Sequence, residues 1–167
     1  PADAAGAEMI HRVFGAAARL RGRLTVVYVP DYEVEFAKLL CAGADIWLNT
    51  PQKPYEASGT SGMKAAVNGV PSLSTMDGWW IEGCQDGLTG WGIGGMEPVS
   101  AADREADALY DRLEWDVLPL YYRNPRGYAE VMRGAIALNG SFFNSHRMVL
   151  QYVTNAYMQA AGLGTGR

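Results

Sequence analysis

Glu56-Ala57-Ser58-Gly59-Thr60-Ser61-Gly62-Met63-Lys64-Ala65-Ala66-Val67-Asn68-Gly69 lies between two apolar runs, Asp45-Ile46-Trp47-Leu48-Asn49 and Val70-Pro71-Ser72-Leu73-Ser74-Thr75. The runs have strand length and composition. The stretch between them opens with small polar residues and passes into a short helical pattern that Gly69 can close. Strand, loop, helix, strand in this order implies a right-handed crossover and a parallel sheet. The loop also places the first N–H groups of a helix where an anion could sit, because those groups lack internal partners. Glu56 enters the loop and Lys64 sits on the first helical turns. Read alone, the stretch is also a capped surface helix with a solvated lysine, a common accident of Gly/Ser-rich sequence.

Upstream, residues 4–21 carry Met9, Ile10, Val13, Phe14 and Ala17 at helical spacing, and Gly22 ends that helix. Leu24-Thr25-Val26-Val27-Tyr28-Val29 reads as a buried strand stopped by Pro30. Asp31 is placed to cap a helix over 32–42, with Val34, Phe36, Ala37 and Leu40 inward. The expected sheet therefore takes strands from 24–29, 45–49 and 70–75, with ligands at their carboxyl ends.

Downstream, Asp77-Gly78-Trp79-Trp80-Ile81-Glu82-Gly83 is an aromatic, turn-rich loop, and the glycine-dense 87–95 suggests a hairpin or a packed aromatic cluster. Ser100 with Asp103 starts a capping box, and the helix behind it runs to about Val117, with Pro119 marking its end. Two more helices follow, Arg126 to Asn139 and Asn144 to Ala160. The apolar stripe Met148, Val149, Tyr152, Val153, Ala156 and Tyr157 suits core or domain packing. Residues 162–167 read as a frayed tail.

The 167 residues, 49% apolar and 19% charged, suffice for a globular core. The charge of −4 without a basic run argues against nucleic-acid binding. No segment is long and apolar enough to span a membrane. Cys41 and Cys84 suit reduced thiols, and His11 and His146 lie far apart, so no metal site is expected. Residues 1–83 form an α/β part, and residues 84–167 a loop followed by helices. Three strands are fewer than the five or six of a complete doubly wound domain, which points to a piece of a longer chain, as does the start at Pro1.

The motif Glu56-Ala57-Ser58-Gly59-Thr60-Ser61-Gly62-Met63-Lys64, followed by Asn68-Gly69 and Thr75-Met76-Asp77-Gly78, resembles the pyridoxal-phosphate segment of the α-glucan phosphorylases, the glycogen, starch and maltodextrin enzymes. Asp31-Tyr32, Asp45-Ile46-Trp47-Leu48-Asn49-Thr50-Pro51, Asp77-Gly78-Trp79-Trp80-Ile81-Glu82-Gly83 and Phe143-Asn144-Ser145-His146-Arg147-Met148 resemble the shorter, bacterial-type branch. The resemblance runs over essentially the whole chain. It implies a two-domain GT-B fold, of which this chain would be a C-terminal fragment, part of the second Rossmann-like domain with trailing helices.

The implied reaction is phosphorolysis of non-reducing-end α-1,4 bonds to glucose 1-phosphate with retention. By similarity Lys64 would hold pyridoxal 5'-phosphate as an imine, which requires the amine to lose its proton; burial against apolar groups would favour that. Thr60, with backbone groups of Ser61 and Gly62, would position the cofactor phosphate, and Tyr32 would lie near its ring. Glu56, Ser58 and Gly59 would contact the terminal glucose, with Glu56 and Lys64 as the catalytic pair. The implied partners are α-1,4-glucan, inorganic phosphate and the remainder of the parent polypeptide, in the cytoplasm; a homodimer of the parent stays open. The family's lysine–arginine pair for substrate phosphate and its sugar-contacting histidine normally lie upstream, so the 167 residues alone are expected to lack phosphorolysis.

Two other readings compete. Glycogen-synthase-type transferases carry two glutamates in a similar loop; Pro54 and Glu56 fit the start, but Lys64 stands where the second would be. A non-catalytic carbohydrate-binding remnant would use Trp79, Trp80 and Trp91 as exposed stacking surfaces.

Overall fold

The computed structural model describes residues 3–52, 55–56, 59–95 and 102–158. It divides into two compact units, Pro1–Val34 and Glu35–Arg167.

In the first unit Asp3 caps helix α1 (Ala4–Arg19), its carboxylate accepting the Gly6 N–H at 2.8 Å. The helix appears where periodicity placed it, but none of its residues is buried. The run 24–29 is not a strand. Its side chains are exposed and no ladder bonds it. An apolar β-branched run becomes a strand only when a neighbour supplies hydrogen bonds, and composition cannot provide that neighbour. Phe14 and Tyr28 do meet, ring centres 5.5 Å apart. Asp31 adopts a left-handed conformation, φ 53°, and the next helix begins at Val34, so Asp31 does not cap it.

Helix α2 (Val34–Gly43) buries Cys41 and half-buries Phe36 and Ala37, while Val34 is exposed, contrary to its expected inward face. The second unit is built on a three-stranded parallel sheet, β1 (Trp47–Asn49), β2 (Ser72–Thr75) and β3 (Gly90–Ile93), in the order β1-β2-β3. Trp47 pairs with Ser72, and Leu73 with Trp91. Helix α3 (Ser61–Val67) connects the first two strands and α4 (Trp79–Gly83) the next two. The expected parallel sheet is present, with one strand exchanged: 90–93 is in it and 24–29 is not. The glycine-dense segment is a strand rather than a hairpin.

Trp79, Trp80 and Trp91 are buried, Trp80 completely. They fill the interior, so the reading that uses them as exposed sugar-stacking surfaces does not hold. Leu73, Trp91, Ile93, Val117, Tyr128 and Val131 form the core cluster. Arg112 ties the outer edge of β3 down: its Nε donates to the Gly92 carbonyl at 3.0 Å, and its Nη1 pairs with Asp86 at 2.9 Å and Asp116 at 2.8 Å.

The helical part starts with α5 (Ala102–Asp111), and Ser100 of the expected capping box lies outside the described residues, as does the tail 162–167. A wide π turn, Arg112–Val117, follows, then α6 (Leu118–Arg123). The chain stays helical through Pro119, where a stop was expected. The π turn restarts the ladder just before the proline, which then falls in a first turn that does not need its N–H. Asn124 caps α7 (Pro125–Gly134), which runs into a second π turn, Ala135–Gly140. Asn144 caps α8 (Ser145–Tyr152), accepting the Arg147 N–H at 2.9 Å, and α8 continues as a π segment to Tyr157. The apolar stripe of α8 is exposed.

Tyr128 joins the helices to the sheet. Its hydroxyl donates to the Asp45 carbonyl, and its ring stacks on Trp91 with centres 6.1 Å apart. Burial, then the charge of Asp45, pushes its phenol up from 10.0 to about 12. A folded pKa above the unfolded one gives stability that is complete below pH 10 and lost as pH rises towards 12. Tyr128→Phe should cost about 1 kcal/mol at neutral pH for the lost hydrogen bond. It should also flatten the alkaline fall, leaving the part due to Cys84, which burial and Asp86 raise to about 11. Urea-unfolding midpoints of the two proteins at neutral and alkaline pH measure both effects. An equally steep alkaline fall in the variant would remove Tyr128 from the account.

Candidate active site

The loop after β1 folds back on itself. The Gln52 N–H donates to Glu56 Oε2 at 3.0 Å, and the Glu56 N–H donates to the Gln52 carbonyl at 2.8 Å. Glu56 is exposed at the tip, with a carboxylate that already holds its own turn. Gly59 and Thr60 are exposed beside it, and Ser58 lies outside the described residues.

Helix α3 is pinned from below. Gly62, Ala65 and Ala66 are its buried face. A Cβ at Gly62 would lie 2.8 Å from the Trp79 ring and 3.4 Å from Ser72 Oγ, so only glycine lets the helix sit this close to β2 and α4. The Ser61 hydroxyl accepts from the Trp47 indole at 3.3 Å, which turns it toward β1. Three short contacts thus set the axis and rotation of a helix of only seven residues.

That rotation puts Lys64 on the opposite, open face. Its side chain is exposed, contrary to the apolar burial the imine argument invoked. It lines a hollow of about 560 Å³ together with Thr60 and Val67 on one wall and Phe142, Arg147 and Met148 on the other. The volume lies within the range of small-molecule sites, ~300–1,000 Å³. The second wall is held by aromatic packing: Phe143 meets Trp79 with ring centres 5.1 Å apart, and Phe142 meets Phe143 at 5.0 Å. The Arg147 guanidinium lies 3.4 Å above the Phe142 ring, and its Nε donates to the Phe142 carbonyl.

Thr60 and Lys64 therefore share one hollow, with Glu56 and Gly59 in the loop that enters it. Ser61 faces elsewhere through its hydroxyl, and Gly62 contributes backbone only. Tyr32 belongs to the first unit, where its side chain is exposed. The far wall went unassigned in the sequence. Phe142 and Arg147 are some eighty residues from Lys64, and no local period joins them. The one available signal was Asn144, a helix-capping residue that fixes where α8 begins. Among the described residues no group of His, Cys, Asp and Glu could hold a metal ion, and no helix is long and apolar enough to cross a membrane.

The same arrangement of a small parallel sheet and helices occurs in a solved structure, sucrose-phosphate synthase from Thermosynechococcus elongatus, with a TM-score of 0.62 and 17% identity over 93% of this chain and 35% of that one. At that identity the likeness concerns the fold: α/β, with a parallel sheet whose loops carry the site. Residues 7–87 match the carbohydrate phosphorylase family. The maltodextrin phosphorylase of Thermococcus litoralis is 41% identical over 96% of the chain, and the glycogen phosphorylase of Aquifex aeolicus 42% over 94%. The chain belongs to the carbohydrate phosphorylase family. It spans about a fifth of the length of these two relatives, 20% and 23%.

Proposed function

We propose that this chain carries the cofactor-lysine segment of an α-glucan phosphorylase, which releases glucose 1-phosphate from non-reducing α-1,4 ends with retention. One observation supports the reading most: in a phosphorylase-family chain, an exposed primary amine, Lys64, lies on a hollow of ligand size beside a hydroxyl and a guanidinium. That donor set fits pyridoxal 5'-phosphate, which needs an amine for its aldehyde and hydrogen-bond donors or cations for its phosphate. When bound, the cofactor supplies a phosphate whose second pKa, near ~6, suits proton exchange at neutral pH.

Lys64 holds the cofactor covalently. Thr60 and the backbone of Ser61 and Gly62 orient its phosphate, with Tyr32 near its ring. Glu56 accepts a hydroxyl of the terminal glucose, with Ser58 and Gly59 beside it; the exposed tip of the loop leaves the carboxylate able to do so. Inorganic phosphate, glucan and the remainder of a longer GT-B polypeptide are the partners, in the cytoplasm. Residues 1–83 belong to the α/β part of its C-terminal Rossmann-like domain and 84–167 to the loop and helices that follow. The glycogen-synthase type of transferase is the second reading, favoured by the fold likeness to sucrose-phosphate synthase. Lys64, where that type needs a carboxylate, weighs against it.

The test is chemical. The full-length polypeptide containing this chain should absorb as a pyridoxal derivative. Borohydride should supply the hydride that turns the C=N link into a stable secondary amine, and peptide mapping should place it on Lys64. Maltodextrin and phosphate should yield glucose 1-phosphate. A colourless, unlabelled protein that transfers from a nucleotide sugar would establish the second reading instead.

A further inference from the structure

We propose that Arg147 is a positioning residue that binds the phosphate monoester of the Lys64-bound aldehyde, across the hollow between α3 and α8. The inference rests on the cofactor reading above.

Three observations carry it. Arg147 and Lys64 line the same hollow from opposite walls, with Thr60 between them in kind: an amine, a hydroxyl and a guanidinium. The guanidinium is preorganised. It is stacked on the Phe142 ring at 3.4 Å, its Nε is committed to the Phe142 carbonyl, and the backbone N–H of Arg147 is committed to Asn144. Its charge is also uncompensated: among the described residues no carboxylate pairs with it, whereas Arg112 and Arg133 are both paired. A guanidinium that stacks through its face and bonds through Nε keeps its two terminal nitrogens for a planar fork. That fork matches two oxygens of a phosphoryl group. The aldehyde end belongs to Lys64, so a ligand held at both walls has an aldehyde and a phosphate at opposite ends.

The experiment compares two aldehydes on the full-length polypeptide stripped of cofactor: pyridoxal 5'-phosphate and pyridoxal, identical except for the phosphate. Uptake is read as borohydride-fixed label on Lys64. The parent protein should prefer the phosphorylated aldehyde. Arg147→Gln should weaken its uptake by about tenfold or more, as the loss of a charge-assisted hydrogen bond does, and leave pyridoxal uptake unchanged. Arg147→Lys, which keeps the charge without the fork, should fall between. If Arg147 only supports α8, both aldehydes lose equally; that result, or an unchanged preference in Arg147→Gln, overturns the proposal while the cofactor reading stands. No label on Lys64 in the parent protein overturns both.

Discussion

Lys64→Ala is expected to leave the full-length polypeptide colourless, without borohydride-fixed label and with phosphorolysis lowered by about a thousandfold or more, the loss typical of removing a group on which proton transfer depends. The structure makes this a test of chemistry and not of folding. Lys64 extends from the exposed face of α3, whose packing is carried by Gly62, Ala65 and Ala66. Alanine is the strongest helix former, and an exposed substitution of this kind shifts stability by less than about 0.5 kcal/mol. The unfolding midpoint of the variant should therefore match the parent. Lys64→Arg separates charge from reactivity: it keeps a cation at the hollow but cannot form the C=N link, so it too should be colourless and inactive. Normal turnover in either variant would remove Lys64 from the mechanism.

Gly90→Ala should be the most damaging single methyl in the sheet. Gly90 has φ 147°, a conformation L residues rarely adopt, and a Cβ there would lie 2.1 Å from the Ser72 carbonyl oxygen and 2.9 Å from its nitrogen. Both atoms are backbone, in the register pair that joins β2 to β3. Neither can swing aside as the tip of a side chain could. The chain must rotate Gly90 or separate the strands, and either lifts Trp91 and Ile93 out of the core. We expect a loss of about 3–5 kcal/mol, in the range of backbone strain combined with overpacking. The urea midpoint of the full-length polypeptide measures it. Gly87→Ala is the control: Gly87 also has positive φ, 72°, but nothing lies within 4 Å of its Cβ position. It should cost far less. Equal losses in the two variants would show that φ alone, without the clash, sets the penalty.

Where sequence reading succeeded, the signal was local. Val70 to Thr75 is a continuous apolar and β-branched run, and β2 lies within it, buried at every position. Asn124 and Asn144 are short polar residues ahead of helical periods, and both cap their helices. The reading erred where a partner decides. Residues 24–29 carry better strand residues than 90–93, yet only the second segment is a strand. Gly90 and Gly92 score poorly as strand formers because propensity measures side-chain packing on a pleated surface. Here close backbone approach to Ser72 matters more, and glycine alone permits it. Trp79 and Trp80 looked like surface aromatics because a Gly-flanked loop is usually exposed, but the short α4 rolls both rings inward.

The candidate site divides in the same way. By itself the sequence determined the family, the α/β class with a parallel crossover around residues 45–75, and the reactive amine eight positions beyond Glu56. These are carried by residue type and short spacing, which survive in one dimension. Only the tertiary structure decided that Lys64 is solvent-facing, that the hollow before it is closed by Phe142 and Arg147, and that β3 is the third strand. Those follow from the rotation of a seven-residue helix fixed by Gly62 against Trp79 and from aromatic contacts that carry α8 to the same place. Contacts between segments eighty residues apart depend on packing, and packing has no period to read.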